Sequence, residues 1–303
     1  MTMPARRLVP TLCALSLWLA CGSPAAPPPQ SPAAAAPAPP PPAPEPSRAE
    51  RRALHGQGMA AYDHKDYATC ASLMERARDA YSAACCYSMA GNRDRAFASL
   101  SRAIDEGWRN PAFEKDSDLV PLHDDPRWSR ELSHFQAKIA EHNRSLNPEL
   151  TRLHDEDQAD RTGPYEKIDW SKITPRDQAR RKRVDEIIAA GGARAADDYY
   201  HAAMVYQHGD SPDEIQRAHD LAVKAVELDP KHDAAKWLAA ASEDRKLMYE
   251  KKPQKWGTQY QKVDGKWVLW QVDPGTTDEQ RDEWNVPPLA EAKAQADRMN
   301  APK

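Results

Sequence analysis

The chain has 303 residues and a formal net charge of −4, with 42 basic and 46 acidic residues well mixed. This balance gives no basic face for nucleic acid, so no nucleic-acid partner is expected. Only three Phe and twelve Gly stand in a sequence dense in Ala, Arg, Asp and Glu, a composition that favours helices over sheets. No apolar run beyond the first twenty residues approaches the ~20 needed to cross a bilayer. The first fifth does not read as core, which leaves about 250 residues, enough for two small domains.

The N-terminus reads as an export signal over residues 1–21. Arg6 and Arg7 form a basic start, and Leu8 to Ala20 is apolar apart from Thr11 and Ser16. This length suits a signal peptide and is too short for a span. It ends in Leu17-Trp18-Leu19-Ala20-Cys21-Gly22-Ser23. The segment resembles a bacterial lipobox, with Trp18 where Leu is usual. The resemblance implies acylation of Cys21, a membrane partner through that anchor, and a place in the cell envelope. The outer membrane, facing the periplasm or the cell surface, is the expected location. Ordinary signal-peptidase cleavage, releasing a periplasmic protein, is the alternative.

Residues 22–47 are mostly Pro and Ala. Proline removes backbone donors and fixes φ, so this stretch is expected to be a disordered, extended tether at ~3 Å per residue. Of the five cysteines, Cys13 would leave with the signal and Cys21 would be acylated. Cys70, Cys85 and Cys86 fall in Ala-rich helical patterns and read as small buried residues. One disulfide with a leftover thiol is the other possibility.

Residues 48–140 read as helical hairpins. Gly58, Ala61, Tyr67, Cys70, Met74 and Ala77 alternate small and large residues, and so do Ala84, Tyr87, Gly91, Ala96, Leu100 and Ala103. Small residues let antiparallel helices approach while larger ones fill the gap. Gly58 to Ala84 is an offset of 26 residues, against ~34 for a tetratricopeptide repeat, so the first hairpin must be truncated. The run from Ala80 through Gly91-Asn92, Gly107-Trp108 and Asp116-Ser117-Asp118-Leu119 to Asp125-Pro126-Arg127-Trp128 resembles the repeat that closes many bacterial tetratricopeptide arrays. That resemblance implies a capping or interaction role and a possible protein or peptide partner.

A second domain is expected over 146–300. Leu150, Leu153 and Asp157 open it on a helix. Thr174-Pro175-Arg176-Asp177 reads as a helix start, ending at Gly191-Gly192. Helices follow over about 195–208, from Ser211-Pro212 to Leu228, and over about 232–250. Two period-two stretches, Trp256 to Val263 and Lys266 to Val272, flank Asp264-Gly265 and predict a β-hairpin. A last helix spans about 288–299. The predicted fold class is mainly α, with tetratricopeptide-like hairpins and a second helical domain that carries one β-hairpin.

Four polar motifs stand in order: Asp157-Gln158-x-x-Arg161, Gln207-His208-Gly209, Asp244-Arg245 and Gln254-x-x-Gly257-Thr258-Gln259. Asp273, Asp278, Arg281 and Val286-Pro287-Pro288-Leu289 follow. Together they resemble a bacterial domain family without an assigned activity, domain of unknown function 6624. The resemblance implies a domain boundary near 146 and no particular chemistry.

Leu238, Ala241, Arg245 and Met248 recur at helical spacing, which predicts Arg245 on the apolar face with Asp244 bordering it. A buried Arg needs carboxylates and further acceptors; Asp157, Asp244 and Asp273 could supply the acids. Gln207, Gln254 and Gln259 could satisfy the remaining groups. Three readings are open. The groups form an internal network pinning the hairpin to the helices. They line a catalytic pocket where Arg161 and Arg245 bind an anion and His208 acts as acid or base, oriented by Asp244. Or they bind a ligand without chemistry, through Asp157, Gln158, Arg161, Gln207, Arg245, Gln254, Thr258 and Gln259. No metal is expected: His201 and His208 lie two turns apart, and neither HExxH nor paired CxxC occurs. Signatures for nucleotide cofactors are absent, so no cofactor is expected. The functional expectation is a cell-envelope binding or scaffold module; the alternative is a hydrolase or transferase acting on an anionic envelope substrate.

Overall fold

A computed structural model describes residues 45–162 and 167–301. The signal, the lipobox around Cys21 and most of the Pro/Ala tether lie outside the described residues. The fold is mainly α, with one two-stranded antiparallel sheet.

The first region is built from α1 (Arg48–Asp63), α2 (Tyr67–Arg76), α3 (Ala80–Met89) and α4 (Arg93–Asp105). Local chemistry sets each start. Ser47 and Glu50 form a capping box on α1, and Asp66, Asp79 and Asn92 each accept a backbone N–H at the next three starts. These side chains satisfy donors that the first turn leaves orphaned. Links of three residues force consecutive helices back along one another. Helices α2 and α3 are only ten residues each, which is how the hairpin offset shrinks to 26 residues. Two 3-10 segments, Pro111–Lys115 and Ser117–Leu122, lead into α5 (Pro126–Ser145). Cys70, Met74, Ala84, Leu100, Phe113, Leu119, Leu122, Trp128 and Phe135 make one core.

Cys70 and Cys86 are joined by a disulfide between α2 and α3, their Cα atoms 5.9 Å apart. Among the described residues Cys85 alone keeps a free thiol, and it is buried. The expectation of three separate buried thiols is therefore corrected. Helix periodicity placed each cysteine inside but did not report that two of them face each other across the interface.

The second region holds α6 (Pro148–Asp160), α7 (Trp170–Ala189), α8 (Ala196–Gln207), α9 (Pro212–Leu228) and α10 (Asp233–Tyr249). Helices α8, α9 and α10 stack consecutively over a second core of Leu150, Leu153, Val184, Ala202, Tyr206, Ala222 and Leu238. Helix α7 starts at Trp170 rather than at Thr174, and Pro175 falls inside its second turn. The proline removes one backbone donor there, and the helix continues through it.

The hairpin forms around Asp264-Gly265, both left-handed (φ 50° and 78°), as a favoured two-residue turn requires. Strands β1 (Tyr260–Val263) and β2 (Lys266–Leu269) pair Tyr260 with Leu269 and Val263 with Lys266. They are shorter than the alternation predicts. Residues 256–259 instead bend around α10, and Gln254 bridges to Val272. A short α11 (Asp278–Glu283), which the pattern did not suggest, precedes α12 (Leu289–Asn300).

Candidate functional site

The polar residues singled out by sequence do not meet in one place. Most divide between two networks, and a third group that sequence reasoning missed lines a cleft.

The first network centres on Asp244, which is 0% exposed. One carboxylate oxygen accepts the N–H groups of Lys255 (2.7 Å) and Trp256 (2.8 Å). The other accepts from the N–H groups of Gly257 (2.9 Å) and Thr258 (3.0 Å) and from the Thr258 hydroxyl (2.8 Å). Four consecutive peptide N–H groups can converge on one side chain only if the backbone curls, and Gly257 at φ 93° makes the curl without Cβ strain. Gln254, also 0% exposed, acts as a surrogate strand. Its amide oxygen accepts from the Gln259 N–H (2.8 Å), and its NH₂ donates to the carbonyls of Gln259 (3.0 Å) and Trp270 (2.9 Å). Gln259 donates to the Ala241 carbonyl of α10 (3.3 Å). Arg281, buried, donates to the Trp256 carbonyl at 2.8 Å. Burial pushes the Asp244 carboxyl above the usual range, opposed by the N–H groups of Trp256, Thr258 and Lys255 and by the Thr258 hydroxyl. The ionised form matches five donors; a protonated oxygen would have to donate among them.

The second network centres on Asp157, also 0% exposed. Arg161 (2.8 Å), Gln158 (2.9 Å) and the Nδ1 of His208 (2.9 Å) share its carboxylate. Arg161 continues to Asp177, Asp177 to Arg180 (2.8 Å), Arg180 to Asp160, and Asp160 to Arg176 (3.0 Å). Acids and bases thus alternate across α6 and α7, each buried carboxylate facing a guanidinium as burial demands. Gly209 follows His208 because a Cβ there would lie 2.5 Å from the Glu214 Cβ.

Two expectations are corrected. His208 is held by Asp157, not oriented by Asp244: the His208 ring lies at the end of α8 beside α6, while Asp244 faces the segment after α10. And Asp244, not Arg245, occupies the buried face of α10. Residues 254–259 cover the stripe shared by Ala240 and Asp244, where Trp256 packs on Ala240. Arg245 is partly exposed and its Nε, though buried, has no hydrogen-bond partner among the described residues. Gln207 binds neither network's acid; its side-chain oxygen accepts from Ser242 of α10 at 2.7 Å.

The third group meets where α5, α8 and α10 approach. Asp197 accepts from His142 Nε2 (2.7 Å) and His232 Nε2 (2.6 Å). His232 caps α10, its Nδ1 accepting the Ala235 N–H at 3.1 Å; the ring proton must therefore sit on Nε2, aimed at Asp197. The His232 hydrogen bond is the largest influence holding the Asp197 carboxyl down at about 2, with His142 and His201 also contributing. Burial, with Arg109 nearby, lowers the His142 imidazole. A cleft of about 650 Å³ opens here, lined by Arg109, His142, Asp197, Leu228, Lys231 and His232 among others. A smaller cavity of about 250 Å³ lies by Trp237, Thr258, Tyr260, Val286, Pro287 and Arg298. Neither is lined by His208 or Arg161. His232 before the helical pattern of α10 was the one local sign of this group, since histidine can cap; the pairing with residues 35 and 90 positions earlier has no local sign.

Known protein-family models, curated proteins and solved structures contain no match to the chain.

Proposed function

We propose that the chain is a cell-envelope lipoprotein anchored through Cys21, and that its helical part is a binding and scaffold module. The observation that carries this reading is the saturation of Asp244. A carboxylate that exchanges protons with a substrate needs an acceptor site within reach of it. Both oxygens of Asp244 are filled by the protein's own donors, so this network serves the fold. The surface left for recognition is the cleft around Asp197, whose mixed lining of Arg109, Lys231, Asp229 and Asp233 suits a polar peptide segment. The module would be held off the membrane by the Pro/Ala tether.

A second reading rests on one feature. His208 is about one-fifth exposed, is braced by buried Asp157, and its Nε2 has no hydrogen-bond partner among the described residues. That is the arrangement of a general base, and it keeps an envelope hydrolase or transferase as the alternative.

The two readings separate by experiment. A photo-crosslinking amino acid replaces Leu228, which is 46% exposed in the cleft lining, in cells making the full chain. A discrete envelope adduct that disappears in Arg109→Glu is the expected result. No adduct, together with ester or amide hydrolysis that is lost in a folded His208→Ala protein, would replace binding by catalysis. Labelled palmitate tests the address: label absent from the protein, or equal on Cys21→Ser, would remove the anchor.

A further inference from the structure

We propose that Cys85, Asp116 and Asp118 form a binding site for a divalent cation of the zinc type. The site lies in the first helical region and stands independently of the cleft. Cys85 is on α3, and Asp116 caps the 3-10 segment Ser117–Leu122, so two packed elements converge there.

The donor geometry suits a metal. One Sγ and two carboxylate oxygens lie within 4.8 Å of one another. A tetrahedral zinc ion takes sulfur at ~2.3 Å and carboxylate oxygen at ~2.1 Å, which sets sulfur and oxygen roughly 3.6 Å apart. The Cys85 Sγ stands 3.9 Å from Asp116 Oδ2, a few tenths of an ångström from that separation, and the Asp118 carboxylate lies within 4.8 Å of both. The thiol is more than nine-tenths buried and directed at the carboxylates.

The charge balance points the same way. Two acids converge beside a buried thiol, and among the described residues no Lys, Arg or His pairs with either of them. Their partners are neutral: the Tyr81 hydroxyl on Asp116 (2.6 Å), the Tyr62 hydroxyl on Asp118 (2.8 Å), and the Asp118 N–H on Asp116 (3.0 Å). The acids of the two networks above each face a guanidinium or a nest of peptide N–H groups. Neutral donors orient a carboxylate without cancelling its charge; a cation would do both.

The surroundings are those of metal ligands. Carboxylate ligands are commonly fixed by a hydrogen bond from behind, and here two tyrosines provide it. Tyr81 is held by stacking on Trp108, ring centroids 3.9 Å apart, and Tyr62 by an edge contact with Tyr67. A thiolate among the ligands selects the zinc class over calcium or magnesium, which take oxygen alone. Binding replaces a proton: the S–H bond of Cys85 breaks, a sulfur–metal bond forms, and one proton leaves to solvent. Three protein ligands leave a fourth position for water.

The test uses the full chain with Cys13 and Cys21 changed to Ser, kept non-reducing so that Cys70 and Cys86 stay paired. Zinc is added, the protein is dialysed, and retained metal is counted; cobalt(II) is then substituted and its spectrum read. One retained zinc per chain and a thiolate-to-cobalt charge-transfer band are expected. Cys85→Ser should abolish the band and weaken zinc binding at least tenfold. Asp118→Asn should weaken binding similarly while leaving the metal-free Tm unchanged, which covers the case of a Cys85 variant that does not fold. A Cys70→Ser/Cys86→Ser double variant should keep the band. Zinc lost on dialysis, zinc held equally by Cys85→Ser, or a band that follows Cys70 and Cys86 would overturn the site.

Discussion

Asp244→Asn is the sharpest probe of the fold's internal polar knot. The amide fits the same space but turns one acceptor into a donor. Its best orientation keeps the oxygen toward Gly257 and Thr258, which contribute three donors. The NH₂ then faces the N–H groups of Lys255 and Trp256, previously bonded at 2.7 and 2.8 Å. Two N–H groups lose their acceptor, the Trp256 one in a buried position, at about 1–3 kcal/mol each. Removing a buried charge offsets part of this, since burial opposes ionisation of Asp244. The net expectation is a loss of about 3 kcal/mol, and at ~2–4 °C per kcal/mol for a domain of this size Tm falls by about 6–12 °C. Thermal melts followed by circular dichroism give the size. Amide hydrogen exchange gives the place: the amides of 255–258 should be protected in the parent and exchange faster in the variant. A Tm within about 1 °C of the parent, with unchanged exchange at these four amides, would refute the reasoning.

Asp157→Ala takes the carboxylate from His208 and one of the two from Arg161, which keeps Asp177, and should cost about 2–3 kcal/mol, whereas His208→Ala leaves Asp157 paired with Arg161 and should cost about 1 kcal/mol; urea melts that reverse this order would remove Asp157 from the centre of its network. Burial and neighbouring His154 hold the His201 imidazole down at about 4, below its ordinary ~6.5. The unfolded chain therefore takes up this proton first, and stability falls as pH drops from about 6.5 to about 4. His201→Gln should flatten that part of a Tm–pH curve. Asp197, depressed to about 2, acts at lower pH, its contribution fading as pH falls towards 2; His142, also lowered, leaves part of the slope in place, so a slope between pH 6.5 and 4 that His201→Gln does not change at all would contradict the assignment. Reduction of Cys70–Cys86, whose sequence separation is 16, should destabilise by about 3 kcal/mol through the regained freedom of the unfolded loop. Cys70→Ser/Cys86→Ser should match the reduced parent in a non-reducing melt and show no further response to dithiothreitol.

Much of the architecture was legible because its causes are local. Ser211 caps a helix through the Glu214 N–H three residues away, and Asp264-Gly265 turns a hairpin by its own backbone preference. Apolar spacing likewise put Leu100, Leu150 and Leu238 inside. Some of the polar residues singled out are found in contact: Asp157 with Gln158, Arg161 and His208, and Asp244, Gln254, Thr258 and Gln259 in one chain of bonds, while Gln207 and Arg245 stand apart. What sequence alone did not contain was the partition between them. Helix periodicity assigns a face but not what will cover it, so Arg245 read as buried until residues 254–259 folded over Asp244 instead. Asp177 read only as part of a helix start, and Arg180 and Asp160 carried no signal, because only the crossing of α6 and α7 makes them neighbours. The pairing of Cys70 with Cys86 and the meeting of His142, Asp197 and His232 are likewise contacts between separate elements. The backbone's short-range chemistry determines where elements begin, end and turn; which polar side chains meet is decided when those elements pack.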